Sequence, residues 1–412
     1  MVGVEAVGSP NTVFSGNLNQ KEMNKMITGH NIICFGSSSW QYPGMQQTAM
    51  RLLADRNRIL YVNALGSRNV SLKLSQCGFY LRRIKRLFQP NQAVSENAMV
   101  CNPLIIPFVY SNLATKLNRG LLRAQFQRLL HKINYRKYIL WVGTPTAALF
   151  LDLFDPSLTI YNPVDRYYAF SFVNGDKVRT YEQIIASKAD AIICTAEAIR
   201  TDLLPYNKDT FTVNHGVDID HFHSALKSQT IPEDIANIQQ PIIGFFGGLD
   251  EWVNFRLIRK VAYRYPNASV VLIGGKTTYS AQIEDIPNVH LLGYKNFNEL
   301  PLYLKQFTVC LIPYIINERL IAVDPVKLRE YLSMGKAVVS VDLPEVRKLE
   351  NLVSIGREEE EFVEMVGRAM GENSPSLVEA RIRAARQSEW PVKMAEISKI
   401  VNDAFLRKNQ GN

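Results

Sequence analysis

The chain alternates between short apolar runs and longer segments in which apolar residues recur at helical spacing. In its first half the runs lie at 31–36, 58–63, 138–142, 158–162 and 188–195. Most of them lack alternation of apolar and polar residues, which is typical of strands buried on both faces of a parallel sheet. Strand, helix and strand in this order predict βαβ units with right-handed crossovers.

The same pattern begins again at 241–247 and continues through runs at 270–274, 290–293, 309–313 and 337–341. Residues 226–240, between the two series, are polar, contain a proline and show no clear period, so they are predicted to form a linker. The sequence therefore predicts an α/β fold with two doubly wound, Rossmann-like domains at 29–225 and 241–388. The polar residues 1–28 are predicted to be a disordered arm.

Composition agrees with a globular fold, since 47% of the 412 residues are hydrophobic and 21% are charged. No run of eighteen apolar residues occurs, and no basic segment followed by an apolar stretch opens the sequence. Neither a membrane-spanning helix nor a signal peptide is therefore expected. The five cysteines have no C-x-x-C spacing, and we interpret them as reduced core residues of a cytosolic protein without a metal site.

Positive charge is concentrated in one part of the chain. Residues 56–151 contain fifteen Lys and Arg but one acid, Glu96. Two segments there, 79–88 and 116–137, combine an apolar face with basic residues, which include Arg82, Arg83, Lys85, Arg86, Arg123, Arg128 and Lys132. Such helices favour an anionic membrane surface as partner, and the alternative is that both apolar faces pack on the core. Nucleic acid is not expected, because no recognised binding module is present.

The stretch 324–341, DPVKLREYLSMGKAVVSV, carries the clearest local pattern. Asp324 and Pro325 predict the N-cap and the first residue of a helix, and Gly335 the left-handed residue that closes it. Lys327 in the first turn suits an anion held by free N–H groups, and Glu330 suits the hydroxyls of a sugar. The alternative is an ordinary surface ion pair between residues three apart.

Residues 324–339 resemble the donor-site segment of glycosyltransferases of the GT-B fold, whose helix reads (S/D)-P-x-K-x-x-E-Y-L-x-x-G-K-x-V-V. The resemblance is closest to family-4-like bacterial enzymes of surface polysaccharide biosynthesis, and it extends over most of the chain. It implies two domains facing a cleft, with the last helix, 391–412, crossing back onto the first domain after the break at Pro391.

The resemblance also implies an activity. A sugar would move from a nucleotide-diphosphate sugar to a hydroxyl of a glycan or lipid-linked acceptor, without a cofactor or a metal. The enzyme would be peripheral on the inner face of the cell membrane. The implied donor-binding residues are Gly247, Gly248, Asp250, Tyr294 (for the base), Asp324, Pro325, Lys327 and Glu330.

On the acceptor side, a loop follows the first predicted strand, where open α/β sheets place their ligands. Its candidate residues are Gly36, Ser37, Ser38 and Trp40. Asp165, just after the run 158–162, is the candidate base or acceptor-orienting group, and the alternative is the N-cap of a following helix. Asn162 stands where relatives have a first acid. Lys327 and Glu330 are the other candidate catalytic residues.

Two departures from the family pattern concern the donor. Relatives carry an Arg and a Lys after the glycine turn, but this chain has Glu251, Trp252 and Asn254, so Lys327 is expected to be the main cation for the diphosphate. Ala322 replaces the first acid of the usual pair.

Three alternatives to a glycosyltransferase stay open. The chain could be a sugar-nucleotide epimerase or hydrolase on the same fold, or a non-catalytic binding protein. It could also be a basic peripheral protein that binds membranes or nucleic acid without chemistry. The intact D-P-x-K-x-x-E helix argues against the last of these.

Overall fold

The computed structural model describes residues 25–42, 44–65, 91–106, 108–372 and 374–410. The chain divides into two compact units. Of the described residues, the N-terminal unit comprises those up to Val213 and those from Met394 onward, and the C-terminal unit is Asn214–Lys393. Most of the predicted arm, residues 1–24, and the predicted basic helix 79–88 with Arg82, Arg83, Lys85 and Arg86 lie outside the described residues.

A sheet of eight strands forms the centre of the described N-terminal unit. The strands are β1 Asn31–Phe35, β2 Arg58–Val62, β3 Gln92–Ser95, β4 Ala98–Cys101, β5 Ile139–Val142, β6 Leu158–Tyr161, β7 Ala191–Cys194 and β8 Thr210–Thr212. Their order is β3-β4-β2-β1-β5-β6-β7-β8, and β3 alone among them is antiparallel to its neighbour. The strand order reverses between β1 and β5, so their carboxyl ends flank the crevice where such sheets bind ligands.

In the described part of this unit, four helices connect the strands: α1 Met45–Leu53, α2 Asn112–Ile133, α3 Gly175–Lys188 and α4 Glu197–Leu203. The hydroxyl of Ser111 caps α2 by accepting from the Ala114 N–H, and Asn134 ends it with a left-handed φ of 55°. The helix predicted at 116–137 is therefore confirmed, but it begins and ends about four residues earlier than predicted.

The C-terminal unit contains six parallel strands in its described residues. They are β9 Ile242–Phe246, β10 Ser269–Ile273, β11 Val289–Leu291, β12 Val309–Ile312, β13 Ala337–Val341 and β14 Ser354–Gly356. Their order is β11-β10-β9-β12-β13-β14, so the reversal lies between β9 and β12. Each of the five residues of β9, β10 and β13 is buried, as the uniformly apolar runs predict.

Helices cover the C-terminal sheet, and one more helix closes the chain. They are α5 Ile219–His223, α6 Glu233–Ala236, α7 Phe255–Arg264, α8 Leu300–Gln306, α9 Val326–Ser333, α10 Pro344–Arg347, α11 Glu359–Met370, α12 Pro375–Arg386 and α13 Trp390–Gln410. Both sheets are doubly wound, so the predicted α/β class with two Rossmann-like domains is confirmed. Among the described residues, no helix is long and apolar enough to cross a membrane.

The division between the units differs from the predicted one. Residues 226–240 lie within the C-terminal unit rather than between domains, because Ile235 is buried in its core and Ile238 packs against that core. The second boundary between the two units lies within α13, between Lys393 and Met394. From Met394 onward this helix belongs to the N-terminal unit, where Ser398 Oγ accepts from Ile27 N at 3.2 Å and Lys408 pairs with Asp190 at 2.8 Å.

Candidate active site

A glycine turn follows β9 at the reversal point of the C-terminal sheet. Gly247 has a φ of 149°, which favours glycine, and its N–H donates to Ile273 O at 2.8 Å. A Cβ on Gly247 would lie 2.7 Å from Lys327 Cε and 3.4 Å from Lys327 Nζ. The Lys327 side chain therefore runs across the turn, so the predicted glycine turn and the predicted lysine meet at one place.

The helix that carries Lys327, α9, begins one residue later than predicted. Pro325 is its N-cap, without a side-chain cap, and Gly335 closes the following turn with a φ of 68°. Asp324 is not a cap, so that prediction was wrong. Its Oδ2 accepts from His215 N at 2.7 Å and its Oδ1 from Arg329. Asp324 and Arg329 are both buried, so this ion pair fixes the start of α9.

Lys327 and Glu330 contrast with that pair, because neither is engaged by the protein. Within the described residues Lys327 makes no ion pair, and the Glu330 carboxylate accepts no hydrogen bond although the residue is only 8% exposed. Burial raises the pKa of Glu330, and Lys327 opposes this rise. The alternative of a solvated surface ion pair therefore does not describe these residues. The half-buried ammonium group of Lys327 and the carboxylate of the buried Glu330 are therefore available to bind a ligand.

His215 is a site residue that the sequence analysis missed. Burial lowers the pKa of His215 to about 4, against the opposing effect of Asp324 and with the help of the cations Arg329 and Lys327, so the imidazole is neutral at neutral pH. The local signal in the sequence is limited to a histidine in the stretch Asn214–Asp218, where Gly216 predicts a turn. Its contact with Asp324 joins residues 109 positions apart in the sequence, which no local pattern reveals.

The other two predicted donor residues lie at the same carboxyl edge of the sheet. Asp250 Oδ1 accepts from the Glu251 N–H at 2.9 Å, so this carboxylate helps to shape the turn. Tyr294 is 46% exposed and follows β11, which lies two strands away from β9. The loop of Tyr294 is tied to the next one by a bond from Gly274 N to Gly293 O at 2.9 Å.

The loop after β1 in the N-terminal unit is held by polar side chains of α1. Gln46 Oε1 accepts from the N–H and the hydroxyl of Ser37, at 2.9 and 3.0 Å, and Gln47 Nε2 donates to Ser38 Oγ. Gly36 is required by close packing, because a Cβ there would lie 1.9 Å from the Tyr61 hydroxyl. The predicted acceptor residues therefore form an ordered loop at the reversal point between β1 and β5.

Trp40, the last of these candidates, is positioned by neighbouring side chains. Its N–H donates to Asn63 Oδ1 at 2.8 Å, and the Arg51 guanidinium carbon lies 4.9 Å from the centroid of the Trp40 ring. Arg51 also donates to the Trp40 carbonyl oxygen. Two contacts from one arginine fix both the backbone and the indole of this loop.

Asp165 lies after β6, two strands from β1 along the sheet. The helical turn that follows, Tyr167–Ala169, has Arg166 as its N-cap, so the alternative role of Asp165 as a cap does not hold. The Tyr167 hydroxyl, from the loop after β6, donates to Gly143 O at 2.9 Å in the loop after β5, the strand between β1 and β6. Asp165 thus lies at the same edge as the loop after β1.

Asn162, which replaces the family's first acid, is a structural residue. It is 1% exposed, its Nδ2 donates to Ile193 O at 2.7 Å, and its Oδ1 accepts from Trp141 Nε1 at 3.2 Å. An amide satisfies both a donor and an acceptor here, which a carboxylate cannot do.

The apolar stripe of α2 faces the protein core. Leu122, Phe126 and Leu129 are buried, whereas the predicted basic residues Arg123, Arg128 and Lys132 are exposed. A second apolar row at intervals of four residues is exposed to solvent: Leu113, Leu117 and Leu121, at 70, 52 and 38%. The sequence analysis missed this second row.

Comparisons with known proteins agree with this architecture. The family described as group 1 glycosyl transferases matches residues 240–372, which contain the glycine turn and α9. TuaH of Bacillus subtilis (strain 168), a glycosyltransferase assigned to teichuronic acid biosynthesis, is 24% identical over 287 residues, which cover 65% of this chain and 72% of TuaH.

Solved structures share the whole fold. Sucrose-phosphate synthase from Thermosynechococcus elongatus superposes with a TM-score of 0.65 at 12% identity, over 94% of this chain and 98% of that one. Anabaena HepE in complex with UDP and glucose gives a TM-score of 0.61 at 15% identity, over 90% and 99% of the two chains. Residues 240–372 are therefore similar to the group 1 glycosyl transferases, and the chain has the GT-B fold of these solved structures.

Proposed function

We propose that the protein is a hexosyltransferase of surface polysaccharide biosynthesis, which moves a sugar from a nucleoside-diphosphate sugar to a hydroxyl of a glycan or lipid-linked acceptor. The observation that carries the proposal is the pair Lys327 and Glu330, which the protein itself leaves unengaged beside the glycine turn. HepE, which shares the fold, is described in complex with UDP and glucose, and TuaH is assigned to teichuronic acid biosynthesis.

The chemistry follows from the charges at this edge. The bond between the anomeric carbon and the β-phosphate oxygen breaks, and the acceptor oxygen bonds to the anomeric carbon as its proton leaves. The nucleoside diphosphate departs with added negative charge, which Lys327 and the N–H groups of the glycine turn stabilise. Glu330 accepts hydrogen bonds from hydroxyls of the donor. Asp165 orients the acceptor hydroxyl or takes its proton. No metal or cofactor is assigned a step.

Nucleotide binding tests the donor site. We expect one of UDP, GDP, TDP and ADP to raise the Tm by about 5 °C or more at roughly 100 times its Kd. The variant Lys327→Ala/Glu330→Ala should lose this response. The matched control Lys260→Ala/Glu364→Ala changes exposed residues on α7 and α11 and should keep it. No shift of the wild type with any of the four nucleotides would contradict the proposal.

Release of the nucleotide separates transfer from the alternatives. The assay uses the nucleotide sugar whose nucleoside diphosphate raises the Tm. A glycosyltransferase should release the nucleoside diphosphate only when a glycan or lipid-linked acceptor fraction is added. Release without an acceptor would indicate a hydrolase, and conversion of the sugar without release an epimerase. Binding without any turnover would indicate a non-catalytic protein.

We also propose that the N-terminal unit contacts an anionic membrane through α2. Leu113, Leu117 and Leu121 form an exposed apolar row. Arg128 and Lys132 lie seven and eleven residues after Leu121, hence on the same side of the helix, and both are exposed. The sequence has no acid between Glu96 and Asp152. Leucines that enter the headgroup region and cations that meet anionic lipids fit this surface.

A further inference from the structure

The glycine turn and the residues that directly follow it, 247–254, contain no Lys or Arg to balance the charge of a diphosphate. A nucleoside diphosphate carries two to three negative charges, and the segment after Gly248 supplies Glu251, Trp252 and Asn254 instead of cations. Lys327 balances part of this charge, and charge buried without a partner is costly. A second cation from another segment at the same edge of the sheet would balance more of it.

The loop after β12 is attached to the turn after β9. Asn254 N donates to Pro313 O at 2.7 Å, and Ile315 N donates to Trp252 O at 2.9 Å. Val253 and Tyr314 form an isolated antiparallel bridge between the same two segments. Because β9 and β12 flank the reversal point of the sheet, these joined loops form the floor of the crevice where ligands bind.

Trp252 connects this floor to an arginine of the second loop. A Cβ on Gly248 would lie 2.6 Å from Trp252 Cζ2, so the indole packs directly against the glycine turn. The Arg319 guanidinium carbon lies 5.2 Å from the centroid of the Trp252 ring, within the range of a cation–π contact. The indole that excludes any larger residue at position 248 therefore also holds the guanidinium beside it.

We propose that Arg319, seated on Trp252, is the second cation of the donor diphosphate site. Lys327 packs against Gly247, and Trp252, which packs against Gly248, holds the Arg319 guanidinium at its ring. The planar fork of arginine donates two parallel hydrogen bonds to phosphate oxygens, which a lysine cannot do. Trp252 is then a positioning residue, and its replacement of a cation after the turn is compensated by Arg319.

This inference rests on the proposed function, since it assigns one more residue to the same donor site. The experiment is titration calorimetry of the purified full-length chain with the responding nucleoside diphosphate, its monophosphate and its nucleoside. Arg319→Ala should weaken diphosphate binding ~10–100-fold, as expected for loss of hydrogen bonds to a charged group, and should leave nucleoside binding unchanged. Arg319→Lys should recover part of the loss, because charge returns without the fork.

The variant Trp252→Leu tests whether Trp252 acts by positioning Arg319. It should weaken diphosphate binding in the same direction as Arg319→Ala, while the double variant should lose little more, because both changes remove one contact. Arg383→Ala, an exposed arginine on α12, is the matched control and should bind like the wild type.

Two results would overturn the inference, and they are distinct from failure of the proposed function. Unchanged diphosphate affinity in Arg319→Ala, while Lys327→Ala weakens it, would remove Arg319 from the site and keep the function. Equal losses for nucleoside and diphosphate in Arg319→Ala would indicate a merely structural role. If the wild type binds none of the four diphosphates, the proposed function itself fails.

Discussion

Four charged side chains around the first turns of α9 divide into two pairs with opposite properties. Asp324 and Arg329 satisfy each other and are 3 and 6% exposed. Lys327 and Glu330 receive no ion pair or hydrogen bond from the described residues, although Glu330 is buried. Burial raises the pKa of the Glu330 carboxyl, so the charged carboxylate carries a free-energy cost, and a ligand that donates hydrogen bonds to its oxygens would remove that cost.

The stability of the unliganded protein should show this cost directly. Burial raises the pKa of Glu330 in the folded state, so its penalty is absent below the unfolded value near 4.3 and complete above the folded pKa. Glu330→Gln should therefore raise the Tm of the free protein at pH 8 by about 2–4 °C, or ~1 kcal/mol, and by nothing near pH 4. Calorimetry across this pH range measures the difference.

The same substitution should weaken binding of the nucleotide sugar, because an amide accepts fewer hydrogen bonds than a carboxylate. Glu364→Gln, on the exposed face of α11, is the control and should change neither property. A lower Tm for Glu330→Gln at pH 8 would mean that the carboxylate has a stabilising partner and is not reserved for a ligand.

Local spacing predicted the helix α9 and the glycine turn, and the family resemblance named Lys327 and Glu330 as donor residues, but neither revealed the neighbours of these residues. The spacing of α9 and the glycines after β9 are local signals, and both lie where the sequence predicts them. The role of Asp324 was predicted as a cap because the sequence shows only nearby partners. Its actual partners include His215, and the neighbour of Arg319 is Trp252 in another loop, which sequence spacing cannot reveal.

At the scale of elements, α2 shows what a periodic pattern can and cannot decide. The period of Leu122, Phe126 and Leu129 predicts a helix with one apolar face, and that face is buried. The pattern alone could not decide between core and membrane, because both accept the same stripe. The sheet occupies this face, so any membrane contact falls to the second row, Leu113, Leu117 and Leu121.

Vesicle binding tests this second row. Leu113→Gln/Leu117→Gln should reduce co-sedimentation with vesicles that contain anionic lipid, because each buried leucine contributes about 1.5–3 kcal/mol. Arg128→Glu/Lys132→Glu should reduce binding further at low salt, and neutral vesicles should bind weakly. Leu226→Gln, a half-exposed leucine of the C-terminal unit, is the control.

Wild-type levels of vesicle binding in both α2 variants would exclude this helix as the contact surface. The proposed transfer reaction would stand, because nucleotide binding is measured on the other unit. A loss of nucleotide binding in the α2 variants would instead indicate a general folding defect.

At the scale of the whole molecule, polar composition was a poor guide to the domain boundary. Residues 226–240 look like a linker because most of their side chains meet solvent, and Leu226 and Ile231 are about half exposed. The buried Ile235 and the partly buried Ile238 nevertheless attach this segment to the C-terminal unit. Composition indicates which residues are exposed to solvent. The unit to which a segment belongs depends instead on the core into which its buried residues pack.

The last helix, α13, gives a test of how stability is divided between the units. Val401 is fully buried on the part of α13 that belongs to the N-terminal unit, where His30 also stacks on Phe405 with ring centroids 5.2 Å apart. Val401→Ala should destabilise the N-terminal unit on the order of 2 kcal/mol. Hydrogen exchange should therefore quicken in β1 and β2 and stay unchanged in β9 and β12.

Leu406→Ala, at an exposed position of the same helix, is the control and should leave exchange in both sheets unchanged. The responding nucleotide should protect β9 and β12 equally in the wild type and in Val401→Ala, because the donor residues all lie in Asn214–Lys393. Equal loss of protection in both sheets would mean that the two units unfold as one, and that the end of α13 stabilises the donor site as much as the unit it packs on.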